Sequence, residues 1–164
     1  MSNREYEIKA STPSQVSLKN LRHCAGIART GDAVDPVAAA LELPRAAILA
    51  LASTGNLIVG VGAIKRRRPG YARQIAESSG VSFDPNTSEL GYIAVDPEHR
   101  GKGLSERIVG ELLAKHDGAL FATTSSERMS QVSHQRLAET VVNPRADLCC
   151  VLHDAGFYAD PQRR

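Results

Sequence analysis

Residues 89–113 read ELGYIAVDPEHRGKGLSERIVGELL, a strand, a basic glycine turn and an amphipathic helix in succession. Leu90, Tyr92, Ala94 and Val95 lie in a short apolar run rich in strand formers, closed by Asp96-Pro97. After the turn the period changes. Leu104, Ile108, Val109, Leu112 and Leu113 fall on one stripe of a 3.6-residue repeat, with Glu106, Arg107, Glu111 and Lys115 facing away from it. Between the two elements, Gly101 and Gly103 let the backbone turn sharply, and Arg100 and Lys102 add positive charge. Free N–H groups at a helix N-terminus, where the macrodipole favours negative charge, make such a turn a site for a phosphate or pyrophosphate.

Three phosphate-loop patterns can be laid on it. The dinucleotide fingerprint G-x-G-x-x-G fails, because Leu104-Ser105-Glu106 follows Gly103 and the third glycine is missing. The run G-x-x-x-x-G-K-[ST] is absent from the chain. The third pattern is R/Q-x-x-G-x-G/A. Arg100-Gly101-Lys102-Gly103-Leu104-Ser105 matches it except at the last place, where Ser105 is also small. This segment, with Val95-Asp96-Pro97 before it, resembles the acetyl-CoA pyrophosphate motif of the GNAT superfamily of N-acetyltransferases.

Composition frames the resemblance. A chain of 164 residues with formal net charge +2 suits a single domain over 1–164 with a sizeable core. There is no acidic or basic tail, so nothing calls for a nucleic-acid partner, although that branch stays open. No apolar run reaches membrane-spanning length, and the N-terminus lacks a signal-peptide core. Three cysteines, two of them adjacent, form neither a disulfide framework nor a spaced metal site. Reduced thiols, a cytoplasmic location and no metal are expected.

Outward from the motif, residues 5–9 suit a strand. Thr12-Pro13-Ser14-Gln15 opens a helix that Val16, Leu21, Cys24, Ile27 and Ala28 continue. Asp35-Pro36 starts a shorter helix. The apolar runs 46–52 and 57–64 form a hairpin across Ser53-Thr54-Gly55-Asn56, with Gly60 and Gly62 marking a bulge or a close backbone approach. Residues 119–124 suit another strand. Asn143-Pro144 starts a last helix with Leu148, Val151, Leu152 and Ala155 on one face, stopped by Gly156.

This order spans residues 4–158 and resembles the GNAT fold, an α/β (α+β) arrangement with a mixed, mostly antiparallel central sheet flanked by helices. Three departures stand out: an insertion at 65–87 with a helix near 71–78, a long segment 125–142, and a shortened C-terminal end. The short end leaves a strand edge that a homodimer would cover.

The resemblance implies acetyl transfer from acetyl-CoA, a co-substrate, to a primary amine of a small molecule, peptide or protein. It assigns the pyrophosphate to Arg100, Gly101, Lys102, Gly103, Leu104 and Ser105. It assigns the pantetheine arm to Ile93, Ala94 and Val95, beside Asn143, with the N–H of Ala94 or Val95 facing the thioester oxygen. The pantetheine arm requires the fourth and fifth strands to splay near Ala94 and Val95. Glu89, at the start of the motif strand, is the expected general base. Leu152 stands where the family often has a Tyr acid, leaving Tyr92, Tyr158 or water. The basic run Lys65-Arg66-Arg67-Arg68 reads as a solvated loop or as a contact to an acidic acceptor, a polynucleotide or the cofactor 3′-phosphate. Two other readings are a non-catalytic acyl-CoA-binding module and a GNAT-type toxin acting on aminoacyl-tRNA. A nucleotide-binding domain of Rossmann type is a third.

Overall fold

The computed structural model describes residues 5–31, 36–79, 82–124 and 148–152. Strand β1 covers Glu7–Ser11. The Thr12 signature then forms, with Thr12 N donating to Gln15 Oε1, but it closes only a single 3-10 turn, Pro13–Gln15. Val16 is extended, and Ser17 opens helix α1, Leu18–Ala28, by accepting from Asn20 N at 3.2 Å. The expected single helix is therefore two pieces. A β-branched residue next to a second good N-cap favours the restart.

Helix α2 covers Pro36–Glu42. Strands β2, Ile48–Thr54, and β3, Leu57–Ile64, form the expected hairpin, with Gly55 at φ 56° in its tip. The insertion carries helix α3, Pro69–Ser79. Strand β4, Ser88–Val95, leads through the glycine turn to helix α4, Leu104–Lys115, and strand β5 follows at Leu120–Thr124.

The last described element corrects the sequence reading. Residues Leu148–Leu152 form strand β6, parallel to β5, and not part of a helix. The segment LCCVL is five apolar residues in a row, so helical spacing was met by default. A continuous short apolar run equally suits a parallel strand. The expected helix ends at Asn143 and Gly156 lie outside the described residues, as does the segment 125–142.

The strands form one sheet in the order β1-β2-β3-β4-β5-β6. The first three pairings are antiparallel and the last two parallel, so the sheet is mixed and mostly antiparallel as expected. Each face buries its own core. On one side Ile108, Val109, Leu112 and Leu113 of α4 pack with Ala50, Ala52, Val59, Ile64, Leu90 and Val95. On the other, Leu21, Cys24, Ile27 and Ala28 of α1 pack with Leu49, Val61, Ala63 and Ala94. Helix α3 adds Ala72 and Ile75 against Phe121, which stacks on Phe83. No described helix is long and apolar enough to cross a membrane.

Gly60 and Gly62 mark a close approach, as their spacing suggested. A Cβ on Gly62 would lie 2.4 Å from Ile108 Cγ2 and 2.7 Å from Ile93 Cδ1. The glycine thus makes a notch in β3 that seats α4. Replacing Gly62 with Val should destabilise the fold by about 1–3 kcal/mol through overpacking. Denaturant unfolding reads this as a lowered midpoint, and an unchanged midpoint would mean that α4 does not depend on the notch.

Candidate active site

The turn is built by local capping. Asp96 Oδ1 accepts from Glu98 N at 3.0 Å and holds the 3-10 turn Pro97–His99. Gly101 and Gly103 then adopt φ 75° and 69°, a left-handed conformation that disfavours side chains. A Cβ on either would meet nothing within 4 Å, so the space above the turn is open. Leu104 begins α4 directly behind it.

The cations around the turn do different work. Arg100 turns back: its Nε donates to Val95 O at 3.0 Å and its NH2 to Thr30 O at 3.0 Å. It clamps the end of β4 to the residues following α1. Lys102 Nζ donates to Tyr6 Oη at 2.8 Å, and that hydroxyl lies 3.0 Å from His99 Nδ1. Arg107 also reaches β1, donating to the backbone oxygen of Tyr6 at 2.8 Å. Neither Tyr6 nor Arg107 was picked out by the sequence, because partners a hundred residues apart leave no local pattern. Asp96, Glu98 and His99 bring three ligand-type atoms within 4.8 Å of one another. Two of these side chains already serve the turn, Asp96 as its cap and His99 as the partner of Tyr6.

Strand β4 is irregular where the resemblance assigns the pantetheine arm. Ala63 pairs with Gly91 and Val61 with Ala94, so Gly62 faces both Tyr92 and Ile93. This is a bulge, and Tyr92 sits in it at φ 56°. A bulky residue there carries about 1–3 kcal/mol of strain, a feature that concentrates at functional sites. On the other edge, the described β4–β5 ladder consists of Ser88 opposite Leu120 and Glu89 opposite Phe121. Among the described residues β4 forms no further pairing with β5 beyond Glu89, and the positions opposite Ala94 and Val95 in this register lie outside them. Asp96 N donates to Val59 O at 2.8 Å, so alternation along an antiparallel pair turns Ala94 toward β3 and Val95 toward the gap. Of the two expected N–H donors, Val95 is the one turned away from β3.

Glu89 is buried at 4% exposure, and each of its carboxylate oxygens holds a cation. Lys65 Nζ lies 2.9 Å from Oε1 and Arg68 NH2 3.0 Å from Oε2. Lys65 reaches Glu89 by crossing Gly91, and its ammonium lies 4.3 Å from the centroid of the Tyr92 ring. Arg68 stacks on Tyr71, with its Cζ 4.4 Å from that ring's centroid. Burial opposes the Arg68 charge most, but Glu89 together with Tyr71 and Glu42 more than offsets it, and the guanidinium pKa is raised. Arg66 instead pairs with Glu42 of α2 at 3.5 Å. Burial pushes the Cys24 thiol up to about 11, so it supplies no thiolate nucleophile at neutral pH. Among the expected site residues, the turn 100–105 and the gap edge of β4 are contiguous. Glu89 lies on the same strand, six residues before Val95. Asn143 and Tyr158 lie outside the described residues.

Residues 18–133 match the model of the acetyltransferase (GNAT) family, and the chain belongs to that family, which makes it an acyltransferase. A search of curated proteins gives no match. Among solved structures, the chain is similar to yncA of Salmonella typhimurium, a putative acetyltransferase determined with acetyl-CoA. The two share 16% identity over 80% of this chain and 78% of that one, with a TM-score of 0.48. It is also similar to a ribosomal-protein-alanine N-acetyltransferase of Brucella melitensis. Here identity is 14% over 89% of this chain and 80% of that one, with a TM-score of 0.42.

A Cβ on Gly91 would lie 2.6 Å from Lys65 Cε and 3.0 Å from its Nζ. Gly91→Ala should therefore push Lys65 off Glu89 and deprive a buried carboxylate of one of its cations. We expect a loss of about 1–3 kcal/mol in denaturant unfolding. A variant as stable as the parent would show that the Lys65–Glu89 pair contributes nothing.

Proposed function

We propose that the protein transfers the acetyl group of acetyl-CoA to a primary amine, with the co-substrate lying in the β4–β5 gap. The observation that carries this reading is that β4–β5 pairing stops at Glu89 on the strand that runs into the glycine turn at the start of α4. Turn N–H groups at 100–105 and the Lys102 ammonium suit a pyrophosphate. The gap-facing edge of β4 at Val95 suits the pantetheine amides and, by its N–H, the oxyanion that forms when the amine adds to the thioester carbon. As the C–N bond forms and the C–S bond breaks, the thiolate leaves and the amine proton passes to water. Much of the acceleration then comes from holding amine and thioester together. The buried free thiol of Cys24 fits a reducing, cytoplasmic setting.

We read Glu89 as an anchor for Lys65 and Arg68, in preference to its expected role as general base. A proton added to either oxygen would displace a cation now 2.9 or 3.0 Å away. Glu89→Gln separates the roles. Loss of a base lowers kcat by about 10²–10⁴-fold, least at high pH where the amine deprotonates by itself. Loss of an anchor raises the acceptor KM and lowers stability, with the pH profile of kcat unchanged. We expect the second outcome, and a kcat loss that shrinks at high pH would restore the base.

The cofactor site is tested by Gly103→Val. A β-branched residue at φ 69° both strains the turn and fills the space above it. Acetyl-CoA binding, read by calorimetry on folded variant protein, should fall at least tenfold. Unchanged affinity would remove the turn from the site.

A further inference from the structure

Resting on the transferase reading above, we infer that the acceptor is an amine that also carries a carboxylate, and that Arg68 with Lys65 forms the wall that recognises it.

Face alternation fixes where this wall stands. On β4, Ala94 packs into the α1 core while Val95 and Leu90 pack into the α4 core. Lys65 follows Ile64 on β3, and its ammonium lies over Tyr92, which itself packs against the α1 core. Lys65, Glu89 and Tyr92 thus share the α1 side of the sheet, beside the bulge and at the near end of the β4–β5 gap. The bulge at Tyr92 and Ile93 lies between this wall and the end of β4 at Val95, so an acceptor approaching on the α1 side lies along both.

The charge on this wall is unusual for an enzyme that receives cations. A site for polyamines or polycationic sugars needs free carboxylates. Here the buried carboxylate, Glu89, is occupied by two cations, and Glu42 is taken by Arg66. Among the described residues, three cations of this loop therefore pair with two carboxylates. Arg68 is the member that reaches water, at 34% side-chain exposure, against 12% for Lys65. Its guanidinium is fixed from two directions, by Glu89 Oε2 and by the face of Tyr71. A planar fork already held in place loses little freedom when it takes a carboxylate, and its geometry matches one. The second anchor is the Gly91 notch, without which Lys65 could not lie across β4. A charged lysine laid over a strained tyrosine, over a glycine, onto a buried glutamate is a built arrangement, unlike a solvated basic loop.

Matched acceptor pairs test the inference in the full chain with acetyl-CoA, by release of free thiol. Amino acids are compared with their amides and methyl esters, and spermidine serves as a polycation. We expect kcat/KM at least tenfold higher for the carboxylate member of a pair, carried by KM, and lower still for spermidine. Arg68→Gln should bring the ratio within a pair close to one, and Arg68→Lys should restore part of it. Where Arg68→Gln does not fold, raising salt from 50 to 500 mM on the parent protein should shrink the ratio severalfold. Equal use, or equal neglect, of both members defeats the inference while leaving the transferase reading standing, provided acetyl-CoA binds. An undiminished ratio in folded Arg68→Gln defeats the assignment to Arg68. Failure to bind acetyl-CoA defeats the transferase reading itself.

Discussion

Ile108 of α4 sits in a notch that β3 can offer only because Gly60 and Gly62 have no side chains. A Cβ on either would lie within 3.0 Å of Ile108. This contact fixes how near α4 lies to the sheet, and therefore where the turn before α4 presents its N–H groups. The same Gly62 faces Tyr92 and Ile93 across the bulge. One glycine thus sets both the height of the helix and the irregularity of the neighbouring strand. The core of α4 and the gap beside β4 are two results of one steric constraint.

The interior of the turn is rigidified from behind. Arg100 would be read from sequence as a phosphate ligand, yet its Nε and NH2 turn back to Val95 O, Thr30 O and Thr30 Oγ1. Anion binding at such a turn rests on backbone N–H groups, which are oriented only if the chain on both sides is fixed. An arginine that braces the loop in this way fixes the turn from behind, a positioning role that charge counting does not distinguish from direct contact.

The elements read well from sequence were those with local causes. The β4-turn-α4 unit carries a change of period and, in the turn between its elements, a proline and two glycines. The hairpin carries Gly55-Asn56 between two apolar runs, and α2 begins at its proline. The failures have non-local causes. LCCVL at 148–152 satisfies either period, and pairing with β5 decides for the strand. The restart of α1 at Ser17 was hidden by an equally good cap five residues earlier. The site divides the same way. The glycine turn was legible, but the ion pairs of Glu89 join residues 21 and 24 positions apart, across an insertion. Glu89 itself was picked out, whereas its two partners were not, and they are what change its chemistry.

The link between Tyr6 and the turn gives β1 a stake in what the turn holds. Tyr6 Oη shares Lys102 and His99, and its backbone oxygen takes Arg107. Strand β1 is at the far edge of the sheet from β6, paired within it to β2. An anion that draws Lys102 off the phenol would remove one of the contacts that tie the residue before the edge strand to the turn. By reciprocity, whatever firms or loosens that edge changes the affinity of the turn by the same factor. The first strand is in this sense a lever on the loop a hundred residues later. Hydrogen exchange along β1 would register occupancy of a site that β1 does not line.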